Sequence, residues 1–164
     1  METQKNVCNG GKKIYNLKFS ELDSESSNYQ KKLIKMLTEN DVVNYLTNFL
    51  KKEGYKIIQS LTTTQIGVDI IAEKNNKILY IEAKGQTSSK ENSSRYGKPF
   101  NLNQIKSHIS GALLASMRII STDIENKDVI AGIALPDTPN QQKIIKQILP
   151  ALKELNKYKN VLMN

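Results

Sequence analysis

Asp69, Glu82 and Lys84 can do chemistry together if a hairpin brings them onto one face. The register of that hairpin follows from its turn. Asn75-Asn76 lies between two apolar runs, and Asn tolerates the left-handed conformation that both central residues of a type I′ turn require. With Lys74 opposite Lys77, counting back pairs Glu73 with Ile78, Ala72 with Leu79, Ile71 with Tyr80, Ile70 with Ile81, and Asp69 with Glu82. Directly opposed residues hold their Cβ atoms about 4.5–5.5 Å apart. At that separation two carboxylates can share one divalent cation, and without one they repel. Lys84 lies two residues beyond Glu82 and so points the same way. The other face carries Val68, Ile70, Ala72, Leu79, Ile81 and Ala83, all apolar. One face builds a core and the other builds a site.

The metal such a site would take is narrowed by counting. The chain has one Cys and one His, too few for a zinc cage. Carboxylate oxygens instead suit Mg²⁺, Mn²⁺ or Ca²⁺. Cys8 cannot form an internal disulfide, so a reducing cytoplasm fits. No apolar run is long enough to span a bilayer and no signal-peptide pattern opens the chain. The net charge is +8, nearly all of it from lysine, with only Arg95 and Arg118 as arginines. A basic domain suits a polyanion, nucleic acid first, although lysine-rich composition also serves solubility. The absence of Trp and the few aromatics argue against a stacking platform for single strands.

The elements that must position the trio can be read on either side of it. At 164 residues the chain has the size of one domain. Residues 1–30 are polar and read as a loosely held arm, leaving 31–164 as the domain. Leu33, Met36 and Leu37, then Val42, Val43, Leu46, Phe49 and Leu50, form helical stripes. Thr38 with Asp41 reads as an N-cap and N3 pair, so the main helix starts near Glu39 and closes at Gly54. Residues 55–61 read as a strand with Tyr55, Ile57 and Gln59 on one face. The hairpin strands are expected at 66–73 and 77–84. Residues 85–100 form a long polar loop, the kind that is usually functional or mobile. A second helix is expected at 101–118, with Leu102, Ile105, Ile109, Leu113 and Met117 facing in. Gln104 and His108 share a face of it, and Gly111 hints at close approach by another backbone or a partner. Residues 129–135 read as a buried parallel strand. Pro139 starts a third helix capped by Thr138 or Asp137, and Pro150 should kink or restart it. Residues 160–163 suggest a last short strand.

Gly67-Val68-Asp69, a hairpin, then Glu82-Ala83-Lys84 resembles the active-site motif of the PD-(D/E)XK nuclease superfamily, with Val68 where a Pro is usual. The order helix, three strands, helix, strand is also that of the superfamily's core, over about residues 38–135. The resemblance implies an α/β fold: one restriction-endonuclease-like domain with an αβββαβ core, a mixed central sheet flanked by helices, and here a C-terminal helix and short strand added. It implies Mg²⁺ or Mn²⁺ held by Asp69, Glu82 and the Ala83 carbonyl, with Lys84 placing or activating the attacking water. Glu39 either joins that metal site, as in many relatives, or compensates the helix dipole. Gln104 resembles a helix glutamine that contacts the site in some branches. Gln86 reads first as a loop amide, although some relatives carry a polar residue near the site there. His108 reads first as the polar edge of a helix stripe, and second as a contact to phosphate or water. Lys90, Arg95 and Lys98 are either phosphate contacts or a solvated loop.

The implied activity is a metal-dependent nuclease acting on DNA, with no organic cofactor and no membrane partner. A homodimer would suit cutting both strands of a duplex. Two alternatives stand beside it: a non-catalytic module that keeps this fold to bind nucleic acid or protein, and a regulatory or immunity protein that binds another protein.

Overall fold

A computed structural model of the protein describes residues 36–122 and 129–158. Its elements are α1 (Glu39–Lys52), β1 (Lys56–Ser60), β2 (Ile70–Lys74), β3 (Lys77–Ala83), α2 (Leu102–Thr122), β4 (Val129–Ala134) and α3 (Pro139–Tyr158). They form an α/β fold around one open, mixed sheet in the order β1-β2-β3-β4. The first three strands pair antiparallel, and β4 runs parallel to β3. The expected arm at 1–30 and the expected strand at 160–163 lie outside the described residues. Among the described residues no helix is long and apolar enough to cross a membrane.

Local chemistry explains where α1 begins and ends. Thr38 Oγ1 accepts from the Asp41 amide at 3.1 Å, and Asp41 Oδ2 accepts from the Thr38 amide at 2.9 Å. This capping box satisfies two amides that the first turn would otherwise leave without partners. Gly54, at φ +80°, ends the helix, and the Tyr55 amide returns to the Leu50 carbonyl at 2.9 Å. The inner stripe of α1 buries Val42, Val43 and Leu50 against Ile70, Ala72, Ile81 and Ala83 of the hairpin. Full burial of each Val, Leu or Ile side chain is worth about 1.5–3 kcal/mol. That face of the hairpin is the apolar one read from the sequence.

The hairpin register is the expected one. Asn75 and Asn76 adopt φ of 52° and 59°, and the pairs run from Lys74–Lys77 to Ile70–Ile81. Asp69 and Glu82 are next in line. At the sheet's other side, the parallel ladder reaches Glu82–Ile133 and Ala83–Ala134, and the Lys84 amide donates to the Ala134 carbonyl at 2.9 Å.

Several expectations need correction. The first hairpin strand starts at Ile70 rather than residue 66. Ile66 is fully solvated, and Gly67 has φ +142°, with Leu61 Cδ1 only 2.9 Å from where a Cβ would sit. In place of ladder bonds, Gln59 Nε2 donates to the Val68 carbonyl at 2.6 Å. Met117 does not face in but is 45% exposed, while α2 buries Ile105, Ile109, Ala112 and Ser116. Two successive four-residue steps from Ile109 carry a side chain about 80° round the helix, off the buried row. Gly111 meets no close backbone: the space beside it is open. Pro150 does not restart α3, which runs through it to Tyr158. Pro150 and Lys146 are both exposed, so water can take the carbonyl that the proline leaves without an amide partner.

Candidate active site

Four groups from three segments of the chain converge on the ammonium of Lys84. Its Nζ lies 3.3 Å from Glu39 Oε2, 3.7 Å from Asp69 Oδ2 and 3.6 Å from Glu82 Oε2. It also donates to the Ala83 carbonyl at 2.6 Å. Each side chain is held by a different device. Asp69 is buried, and its Oδ2 accepts from the Ala83 amide at 2.7 Å across the hairpin. Glu82 and Lys84 sit on and just past the end of β3, whose backbone is fixed on both sides by β2 and β4. Glu39 is the first residue of α1, and the capping box sets where that helix starts.

Gly85 brings α1 to the site. A Cβ there would lie 2.6 Å from the Glu39 amide nitrogen, 2.7 Å from the Thr38 carbonyl carbon and 2.9 Å from the Leu37 carbonyl oxygen. Only glycine lets the chain pass this close to the helix end. The Gln86 amide then donates to the Leu37 carbonyl at 2.8 Å. Gln141 of α3, also buried, directs Nε2 at the Gly85 carbonyl from the other side at 3.4 Å.

Three carboxylates against one ammonium leave two negative charges uncompensated when all are ionised. The consequences show in the protonation equilibria. Burial raises the pKa of Glu82 above its usual value, and the Asp69 charge raises it further against the pull of Lys84. Burial likewise raises Glu39, with Lys84 opposing and Asp69 reinforcing. Burial pulls Lys84 down, but Glu39, Asp69 and Glu82 together outweigh it and leave the amine above its ordinary range. Lys84 is therefore an ammonium at neutral pH, able to donate hydrogen bonds and charge but not to accept a proton.

The donor set fits a hard divalent cation. Mg²⁺ keeps several waters and needs only one or two carboxylates from the protein. Here the carboxylates of Asp69, Glu82 and Glu39 and the Ala83 carbonyl all border one ammonium. Among the described residues no three His, Cys, Asp or Glu side chains are grouped tightly enough to cage an ion by themselves.

The remaining candidates divide. His108 of α2 packs edge-on against Phe100, with ring centroids 4.6 Å apart. Its pKa is lowered by burial and, second, by the charge of Lys84, so the imidazole is neutral and within electrostatic reach of the site. Gln104 is engaged elsewhere, since its Oε1 accepts from the Asn101 amide at 3.0 Å and closes the start of α2. Gln86 acts through its backbone, taking the Phe100 amide on its carbonyl at 2.9 Å. Lys90, Arg95 and Lys98 are exposed on the 85–100 loop. Sequence reading missed Gly85, Thr87 and Gln141. Gly85 could have been suspected from its place directly after Lys84. Gln141, three residues after Thr138, carried a capping-box signal, and Thr138 Oγ1 does bond its Oε1 at 2.6 Å. No protein-family model matches this chain, nor does any curated protein or solved structure.

Proposed function

We propose that the chain is a metal-dependent nuclease of the PD-(D/E)XK type, hydrolysing phosphodiester bonds in DNA. The observation that carries this reading is the meeting of Glu39, Asp69 and Glu82 around Lys84 Nζ, at 3.3–3.7 Å, from separate elements. Such a cluster concentrates like charge and raises the pKa of Glu39 and Glu82, the kind of arrangement that functional sites favour. The αβββαβ order of the elements supports the restriction-endonuclease-like fold.

Asp69, Glu82 and the Ala83 carbonyl would hold Mg²⁺ or Mn²⁺, with Glu39 joining directly or through water. When bound, the cation acidifies a coordinated water and draws charge from the phosphate oxygens. The Ala83 amide fixes Asp69 Oδ2 and so orients its carboxylate. The Lys84 ammonium orients the attacking water by hydrogen bonding and offsets the negative charge that grows on the phosphate. The water's proton leaves to an acceptor, and a phosphate oxygen of the substrate or solvent can serve. DNA is the expected partner, a homodimer the expected assembly for double-strand cutting, and the cytoplasm the expected location.

Supercoiled plasmid and branched DNA, incubated with Mg²⁺ or Mn²⁺, test this. We expect cleavage that chelation abolishes and that Lys84→Ala removes. Cleavage no higher than that of Lys84→Ala on every substrate would defeat it. One feature favours a second reading, a binding module that keeps the fold without catalysis: the Lys84 ammonium itself stands among the acids and balances part of their charge. Firm DNA retention, indifferent to metal and without cleavage, would select that reading.

A further inference from the structure

We propose that Tyr96 seats one unpaired base, so that the 85–100 loop directs the site to DNA with a single-stranded end or flap rather than to closed duplex. The identity of the substrate as DNA rests on the nuclease reading above.

Tyr96 is 42% exposed in the loop. Exposed apolar side chains are common and single ones mean little. Ile66, Leu114 and Met117 are at least as exposed, yet none lies between two solvated cations. Tyr96 does: Arg95 precedes it and Lys98 follows one residue beyond, both exposed. An aromatic face flanked by cations is what a strand offering both bases and phosphates requires.

The loop is long but not slack around this residue. Thr87, only 3% exposed, donates its Oγ1 proton to the Arg95 carbonyl at 2.8 Å. The Tyr96 amide donates to the Ser93 carbonyl at 2.9 Å, and the Lys98 amide to the Arg95 carbonyl at 3.1 Å. Gly97, at φ +69°, makes the turn that a side chain would resist. The Phe100 amide closes the loop's base on the Gln86 carbonyl at 2.9 Å. The tyrosine is thus presented from a fixed backbone, which lowers the entropy lost on binding.

The bond from Thr87 to the Arg95 carbonyl also ties this segment close to the acids. Thr87 is three residues from Lys84, a reach of no more than about 11 Å. A strand whose scissile phosphate lay at Lys84 would pass the loop within a few nucleotides. In closed duplex each base is already stacked between neighbours and offers no free face. An unpaired base offers one at no unstacking cost. A single tyrosine cannot line up successive bases, so the preference is for a junction or end rather than for long single strands.

The test is fluorescence anisotropy in chelator, where metal-dependent cleavage is silent. The probe is a duplex with a single-stranded overhang, and relaxed covalently closed circles serve as competitor. We expect Tyr96→Ala to bind the overhang probe about ten-fold more weakly, the loss that one base stack brings, with competition by closed circles unchanged. Tyr96→Phe should bind like the natural protein. Unchanged affinity of Tyr96→Ala for the overhang, an equal loss on closed circles, or a Tyr96→Phe as weak as Tyr96→Ala would each overturn the proposal. Should Tyr96→Ala fail to fold, Tyr96→Leu against Tyr96→Phe decides, since both keep the bulk and only Phe can stack. Overhang binding that depends on Tyr96 in a chain that never cuts DNA would sink the nuclease reading and leave this one standing. Cutting without any effect at Tyr96 would do the reverse.

Discussion

Lys84 and Arg95 are cations on neighbouring segments, and the chain holds them in opposite ways. Lys84 is mostly buried, its amide is bonded to β4, and three carboxylates surround its ammonium. Arg95 is exposed on a loop, and what is fixed there is its backbone, through Thr87. The first cation has a place defined by the sheet and by the helix that Gly85 lets in. The second has a defined base and a free-standing head. Geometry is therefore spent where atoms would react, and solvated charge where a phosphate backbone would be met. On the proposed nuclease reading, the acid cluster by itself would repel phosphate, and the basic loop would be the part that draws DNA in.

The contrast can be broken by removing either half. The largest effect should come from the acids: Asp69→Asn or Glu82→Gln should lower cleavage by at least about 10²–10³-fold, the scale of losing one transition-state charge contact. Overhang binding in chelator should not weaken in these variants, as they remove negative charge. Cleavage kinetics beside anisotropy would show this, and a matched loss of binding would merge the two regions into one. Next, Gly85→Ala should push α1 away from Lys84 and cost about 1–3 kcal/mol of stability, as overpacking does, read by urea unfolding. Thr87→Val should cost about 1 kcal/mol through its lost hydrogen bond and should weaken overhang binding while leaving metal affinity alone. The smallest effects belong to Lys90→Ala and Lys98→Ala, each lowering the salt slope of binding by about one unit.

A stability measurement sharpens the same comparison. Glu82 has a folded-state pKa above its ordinary value, chiefly from burial. A raised folded pKa means that the ionised carboxylate costs stability above that pKa and the protonated one does not. Glu82→Gln should therefore melt higher than the natural chain at neutral pH without metal. That advantage should shrink as the pH falls through the pKa of Glu82. Thermal melts across pH in chelator would check it, and a lower-melting Glu82→Gln at neutral pH would contradict the strained-acid description.

How far the sequence disclosed this depended on how local the determinants were. Asn75-Asn76 set the hairpin register because turn chemistry and side-chain alternation act over a few residues. Thr38, Asp41 and Gly54 marked α1 for the same reason. The start of β2 was misjudged because Ile66 looked like a strand residue, whereas the conformation of Gly67 decides otherwise. Met117 falls outside because steps of four drift off the buried row, which continues instead through Ala112 and Ser116. Gly85 and Gln141 left only local traces, a place after Lys84 and a capping-box spacing, because their roles at the site depend on helices distant in sequence meeting the Gly85 backbone. The trio Asp69, Glu82 and Lys84 was legible; the device that delivers Glu39 to it was not.

The central claim is that Asp69 and Glu82, with the Ala83 carbonyl, bind one divalent cation beside Lys84. Isothermal titration of Mn²⁺ into the natural chain, Asp69→Asn and Glu82→Gln tests it without any substrate. One saturable site in the natural chain, lost or severely weakened in both variants, is the result we expect. No saturable binding, or binding that survives both substitutions, would contradict it.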